Sequence, residues 1–189
     1  SAVVALSLAC GGEDGAAGPP GPQGPPGERG PAGEPGQPGA SGTTYKVTRT
    51  TFTGEDDRDS GPVTNRVLEV EKPRGGTGLR ITYYDLFGAW SGGTGGPGQC
   101  LCQWELLFNG KSCSSPGVLA HEVFSIAGEE LRSETVNGVC AQAGGRWLNE
   151  GPVTITVHVG TSPRSPNRPC QCRTGGPATY LLEAQEYPL

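Results

Sequence analysis

Methionine is absent from this chain, histidine occurs only at His121 and His158, and aromatic residues make up 6% of the sequence. With two histidines and no GxSxG or HExxH frame, nothing in the pattern supplies a nucleophile with its base, so hydrolysis is not indicated. His158 falls on the polar side of an alternating segment and reads as a surface residue. Glu129, Glu130 and Glu134 read as solvated carboxylates of a polar connection. A hydrolase on this chain would need a convergent histidine and carboxylate cluster that the sequence does not announce. No apolar run approaches the roughly 18 residues of a membrane-spanning helix, and no five basic residues follow one another. These absences argue against a transmembrane helix and a nucleic-acid partner. The expectation is a non-enzymatic protein without cofactor or metal.

Glycine, by contrast, accounts for 33 of the 189 residues. Across residues 12–42 it stands at every third position: Gly12, Gly15, Gly18, Gly21, Gly24, Gly27, Gly30, Gly33, Gly36, Gly39 and Gly42. Proline fills many of the places between, at Pro19, Pro20, Pro22, Pro25, Pro26, Pro31, Pro35 and Pro38. Strictly periodic glycine with proline is the collagen signature. In a triple helix only a residue without a side chain fits the crowded axis, so the segment cannot fold alone and implies a homotrimer. Thirty residues at about 3.1 Å each would form a rod of roughly 90 Å. A flexible Pro/Gly linker is the plainer reading, but it has no reason to keep the period.

The chain opens at Ser1 and reads as a fragment whose first residues are missing. Ala2-Val3-Val4-Ala5-Leu6-Ser7-Leu8-Ala9 is apolar and ends in small residues, as the tail of a signal peptide does. Cleavage after Ala9 would make Cys10 the first residue, in the manner of a bacterial lipoprotein, although Ser7 stands where that pattern prefers leucine. Cys10 is thus the candidate lipidation site, and an acyl chain would be the sole membrane contact. An interchain disulfide at Cys10, or its removal with a signal peptide, are the other readings. The expected divisions are 1–11 (signal remnant and anchor), 12–42 (collagen-like stalk) and 43–189 (β domain). Localisation is expected to be extracellular or at the cell surface, as an outer-membrane lipoprotein.

From residue 43 onward, 13 Lys and Arg face 15 Asp and Glu, so the domain is close to neutral. Thr43 to Phe52 has a strand composition. Residues 55–59, Glu-Asp-Asp-Arg-Asp, read as a solvated loop; calcium would find oxygens there but not the spacing of an EF-hand. Strands are expected at 67–71, 79–87, 118–126, 153–159 and 180–187, with a turn at Pro73-Arg74-Gly75-Gly76 and a loop at 92–98. Asn109-Gly110 signals a hairpin because both residues tolerate positive φ, and Asn137-Gly138 repeats that turn chemistry. Val153, Ile155, Val157 and Val159 share one face of the cleanest strand. About eight strands near ten-residue spacing, without a helical period, predict an all-β sandwich or jelly roll.

Six cysteines remain besides Cys10: Cys100, Cys102, Cys113, Cys140, Cys170 and Cys172. The two CxC pairs, if they faced each other, could hold zinc, but structural zinc sites usually space their cysteines by two to four residues. Three disulfides formed in an oxidising compartment are the preferred reading. The favoured connectivity joins the two CxC segments and pairs Cys113 with Cys140, while the other connectivities of six cysteines stay open.

A signal peptide, a short collagen stretch and a cysteine-bearing β domain together resemble the collagen triple helix repeat-containing proteins, which are secreted matrix and signalling glycoproteins of animals. Trp104-Glu105-Leu106-Leu107-Phe108-Asn109-Gly110-Lys111-Ser112-Cys113, Val136-Asn137-Gly138-Val139-Cys140, and the strand from Val153 through Gly160-Thr161 carry the likeness over about residues 79–189. The resemblance implies a C1q-like trimeric head on a triple-helical stalk. Ser162 stands where the family has a cysteine, so its disulfide pairing does not carry over whole. No Asn-x-Ser/Thr sequon occurs, so its glycosylation is not implied. With the lipoprotein-like start this looks like a bacterial relative, in which the family's Wnt and planar-polarity signalling is not expected to transfer. The functional expectation is a surface-anchored homotrimer that presents its head for binding or adhesion to an extracellular protein or matrix. The alternative is a soluble secreted trimeric ligand or matrix protein acting on a receptor.

Overall fold

The computed structural model describes residues 15–34, 36, 45–91, 99–126, 128–165 and 170–189. Cys10, Gly12, Gly39, Gly42 and the 92–98 run lie outside them. The chain divides into two units, Ser1–Ser41 and Gly42–Leu189. The described part of the first carries neither helix nor strand and is exposed throughout. A Cβ placed on any glycine from Gly15 to Gly36 in the three-residue series would meet nothing within 4 Å.

The second unit is all-β, a sandwich of two antiparallel sheets. Its strands are β1 (Val47–Asp56), β2 (Gly61–Lys72), β3 (Thr77–Ser91), β4 (Cys100–Phe108), β5 (Lys111–Ser115), β6 (Ala120–Ser125), β7 (Gly128–Cys140), β8 (Gln142–Ala143), β9 (Arg146–Trp147), β10 (Gly151–Thr161) and β11 (Gln171–Pro188). The first sheet has the order β1-β11-β3-β7; the second runs β2-β10-β4-β5-β8-β9, with β6 also paired to β4. Strands adjacent in sequence therefore tend to lie in opposite sheets, and each crossing carries the chain over one end of the sandwich.

Alternation places the core. In β10, Val153, Ile155, Val157 and Val159 are buried while Thr154, Thr156 and His158 are half-exposed, as a strand with one wet face requires. In β4 the inward residues Trp104, Leu106 and Phe108 are fully buried. The Trp104 indole donates to Thr174 Oγ1 across the sandwich at 2.6 Å, which satisfies its one polar atom.

Charge also lies inside. Arg66 of β2 donates through Nε to Asp85 of β3 at 2.9 Å and through Nη2 to Gly54 O at 3.0 Å. Asp85 also accepts from the Tyr83 hydroxyl at 2.6 Å and from Leu86 N at 2.8 Å. Burial opposes the charge on Arg66, but Asp85 outweighs it and the guanidinium pKa is raised. Burial, followed by the Asp85 charge, raises the pKa of Tyr83, which stays a neutral donor. Gly175, at φ +82, makes the approach possible: a Cβ there would lie 2.3 Å from Arg66 Nη2 and 2.2 Å from Gly54 O.

Several expectations are corrected. Asn137-Gly138 makes no turn but sits inside β7. Its missing Cβ leaves room for Leu119, whose Cδ2 would lie 2.3 Å from a Cβ there, so the residue reports close packing rather than chain reversal. Glu129, Glu130 and Glu134 are likewise in β7, not in a connection. They read as loop because β7 is the edge of its sheet, where charge is left outward and discourages pairing with other strands. Asn109-Gly110, with φ of 50° and 71°, is the expected hairpin turn.

Candidate functional site

Strand direction defines two ends. β1 begins at Val47 beside Gln185 of β11 and ends at Asp56 beside Thr174. The chain therefore enters and leaves the domain at one end, and the β1–β2, β6–β7 and β10–β11 connections fall at the other, distal end.

At the distal end Cys100 bonds to Cys170 and Cys102 to Cys172, each across 70 positions. Equal separations mean that the two CxC segments run in the same direction, one in each sheet, with two parallel bridges between them. Near the entry end Cys113 bonds to Cys140. The sulfurs of Cys100, Cys102 and Cys170 lie within 4.8 Å of one another, three of the four that the zinc alternative would use. All are bound in disulfides, however, and a zinc ligand must be a thiolate.

Beside the Cys102–Cys172 bridge the first sheet opens into a hollow of about 640 Å³ lined by Asp57, Asp59, Gly88, Ala89, Trp90, Glu129 and the Gln171 to Arg173 segment. Register explains it. Gln171, Trp90 and Glu129 sit side by side on β11, β3 and β7, and Arg173, Gly88 and Leu131 form the next outward row. Gly88 contributes no side chain, which lets Leu131 and Arg173 lean over it: a Cβ there would meet Leu131 Cδ2 at 2.6 Å and Arg173 Cβ at 3.1 Å.

Arg173 gathers the carboxylates. Its guanidinium lies 2.6 Å from Glu55, 3.2 Å from Glu129 and 3.6 Å from Asp57. The hydrogen bond it donates to Glu55 is the main reason its pKa is raised. Asp59 accepts from Cys172 N at 2.9 Å. Asp56 points the other way, accepting from Thr64 N at 2.6 Å and pairing with Arg58 at 2.9 Å. Burial works against its charge, but these donors win and hold its pKa at about 2. The acidic stretch is thus committed to protein partners. A calcium ion asks for six to eight oxygens converging at 2.3–2.6 Å, whereas a guanidinium stands between Glu55 and Asp57 of this stretch.

The histidines lie elsewhere. His121 packs its ring 4.7 Å from Phe87 and holds Nε2 3.5 Å from Glu134, without hydrogen-bond geometry. Burial lowers its pKa, Glu134 opposing, so it is neutral at pH 7. His158 stands opposite Glu105 on the outward face of the second sheet, above a shallow depression shared with Gln103 and Thr161. No nucleophile faces either ring among the contacts of the described residues. The sequence missed the hollow because its residues come from four separated segments. Only Trp90, an exposed aromatic in a polar setting, could have flagged it. No protein-family model and no curated protein matches the chain.

Proposed function

We propose that the chain is a non-enzymatic, homotrimeric collagen-like protein, anchored at a surface through Cys10, whose C-terminal sandwich is a head for binding or adhesion. The observation that carries this reading is the unbroken glycine period from Gly12 to Gly42. A lone chain leaves open space around each described glycine, and only two further chains would create the axis that requires them.

The head supports the reading in three ways. Its eight longer strands, counted in sequence order, run 1-8-3-6 against 2-7-4-5, which is the order of a jelly roll and agrees with a C1q-like head. Its three disulfides fit an oxidising, extracellular setting. On the outward face of the first sheet the exposed Tyr84 lies beside the half-buried Leu181, apolar surface open to a second copy of the chain. Short triplet arrays without hydroxyproline hold together weakly, so the heads supply much of the trimer contact. Three heads on one stalk also multiply weak contacts, by about 10² to 10⁴ in avidity.

Light scattering of the exported protein before and after collagenase tests this. A trimer mass at both stages is expected; a monomer before digestion overturns the assembly. Detergent-phase partitioning and the mass of the N-terminal fragment address the anchor, and an unmodified water-soluble chain would replace it with the soluble secreted ligand.

A further inference from the structure

The hollow at the distal end carries a more specific assignment, which deepens the reading of the head as a binding module. We propose that it is a binding site for a neutral carbohydrate, with a sugar ring laid on the indole of Trp90 and its hydroxyls held by Asp57, Glu129 and Arg173.

Size and shape come first. A hollow of about 640 Å³ falls within the range of small-ligand sites, roughly 300–1,000 Å³. Its apolar element is a single large aromatic. The fold buries Trp104 completely yet leaves Trp90 46% exposed, at a concave place rather than on a convex rim. Gly88, two residues earlier on the same face of β3, has no side chain to fill the space beside the ring. A flat indole left uncovered offers its electron-rich face, and the weakly positive C–H bonds on one side of a pyranose ring are complementary to it.

The polar elements select against charge. One guanidinium stands among Glu55, Asp57 and Glu129, so the wall is net negative and an anionic ligand meets repulsion. A cationic ligand is attracted but must compete with Arg173 for carboxylates already paired. A hydroxyl avoids both costs: it donates to a carboxylate, accepts from a guanidinium and brings no charge. Each carboxylate accepts at about four positions and a guanidinium donates five hydrogens, so the existing pairs leave capacity for ligand hydroxyls. Glu129, which accepts from Arg173 at 3.2 Å, also loses less freedom on binding than an unpaired side chain would. The floor is equally fixed, since Ala89 pairs with Cys172 and Cys172 is bonded to Cys102 in the other sheet.

The test uses the full chain, titrated by isothermal calorimetry and observed by saturation-transfer NMR. The probes are cello-, malto-, laminari-, xylo-, manno- and chitohexaose, with spermine and a heparin hexasaccharide as cationic and anionic probes. At least one neutral hexasaccharide is expected to bind with a Kd of about 1 mM or tighter, and the charged probes more weakly. Trp90→Ala should weaken that binding about tenfold or more and Glu129→Gln severalfold, while Trp147→Ala, at an exposed tryptophan on β9, leaves it unchanged. Because Trp90 is exposed, its replacement should preserve the unfolding midpoint, and Glu129→Gln supplies the readout if it does not. Failure of all six neutral probes overturns the assignment, as does binding that survives Trp90→Ala or is confined to a charged probe. Carbohydrate binding by a monomeric chain would sink the trimer and keep the site; a trimer that ignores all six would do the reverse.

Discussion

At the end where the chain enters and leaves, one disulfide, Cys113–Cys140, joins the sheets, and the neighbouring contacts are polar. Glu186 accepts from Thr77 Oγ1 at 2.8 Å and the buried Lys72 donates to Arg74 O. At the distal end two bridges stand side by side, and the hollow opens directly above one of them. The difference teaches what each end has to withstand. At the entry end β1 and β11 continue their pairing nearly to the termini, so backbone hydrogen bonds help hold it. At the distal end the ladders also run on, with Cys172 paired to Ala89 and Cys102 to Val123 and Thr161, and two covalent bonds are added across the sheets to those pairings.

The largest test of this contrast removes both distal bridges, by Cys→Ala at 100, 102, 170 and 172. A bridge over 70 positions restricts the unfolded chain by about 4 kcal/mol, so urea unfolding should show at least that loss. Removing Cys113 and Cys140 opens a loop of 27 positions and should cost somewhat less, about 3.5 kcal/mol. Replacing only Cys100 and Cys170 should cost far less than either, about 1 kcal/mol, because Cys102–Cys172 already closes almost the same loop. A single distal deletion as damaging as the double one would show that the two bridges do not share one constraint.

Acid, read against an Asp56→Asn variant, addresses the distal end. Asp56 has a folded pKa of about 2, below its ordinary 3.8. Its contribution to stability is therefore complete above about pH 4 and is lost as pH falls toward 2. Denaturant midpoints measured from pH 5 down to pH 2 should fall more steeply in the natural chain than in Asp56→Asn. Equal slopes would show that Thr64 and Arg58 do not favour the charged carboxyl.

Legibility in the sequence followed physical uniqueness. β10 has one way to bury Val153, Ile155, Val157 and Val159, so it could be read directly, whereas the cause proposed for the glycine period lies in an assembly that a single chain does not display. Asn109-Gly110 and Asn137-Gly138 are the same dipeptide with opposite meanings. One supplies positive φ and the other a missing Cβ under Leu119, a distinction that exists only once a distant residue has arrived. Glu129 misled for a related reason, since an edge strand keeps the polarity of a loop. Arg66 and Asp85 were invisible as interior residues because charge ordinarily marks the surface. The hollow was hidden most completely, as Asp57, Trp90, Glu129 and Arg173 share nothing in sequence but their ends of strands.

Val47 and Gln185 are neighbours across β1 and β11, so both chain termini of the sandwich depart from one end. Such a domain behaves as a plug-in unit: cut at a single place, it could be grafted onto another protein, or carry a cargo fused after Leu189, without a covalent attachment near the opposite pole. Residues there would be free to diversify from one lineage to the next while the mounting stayed the same.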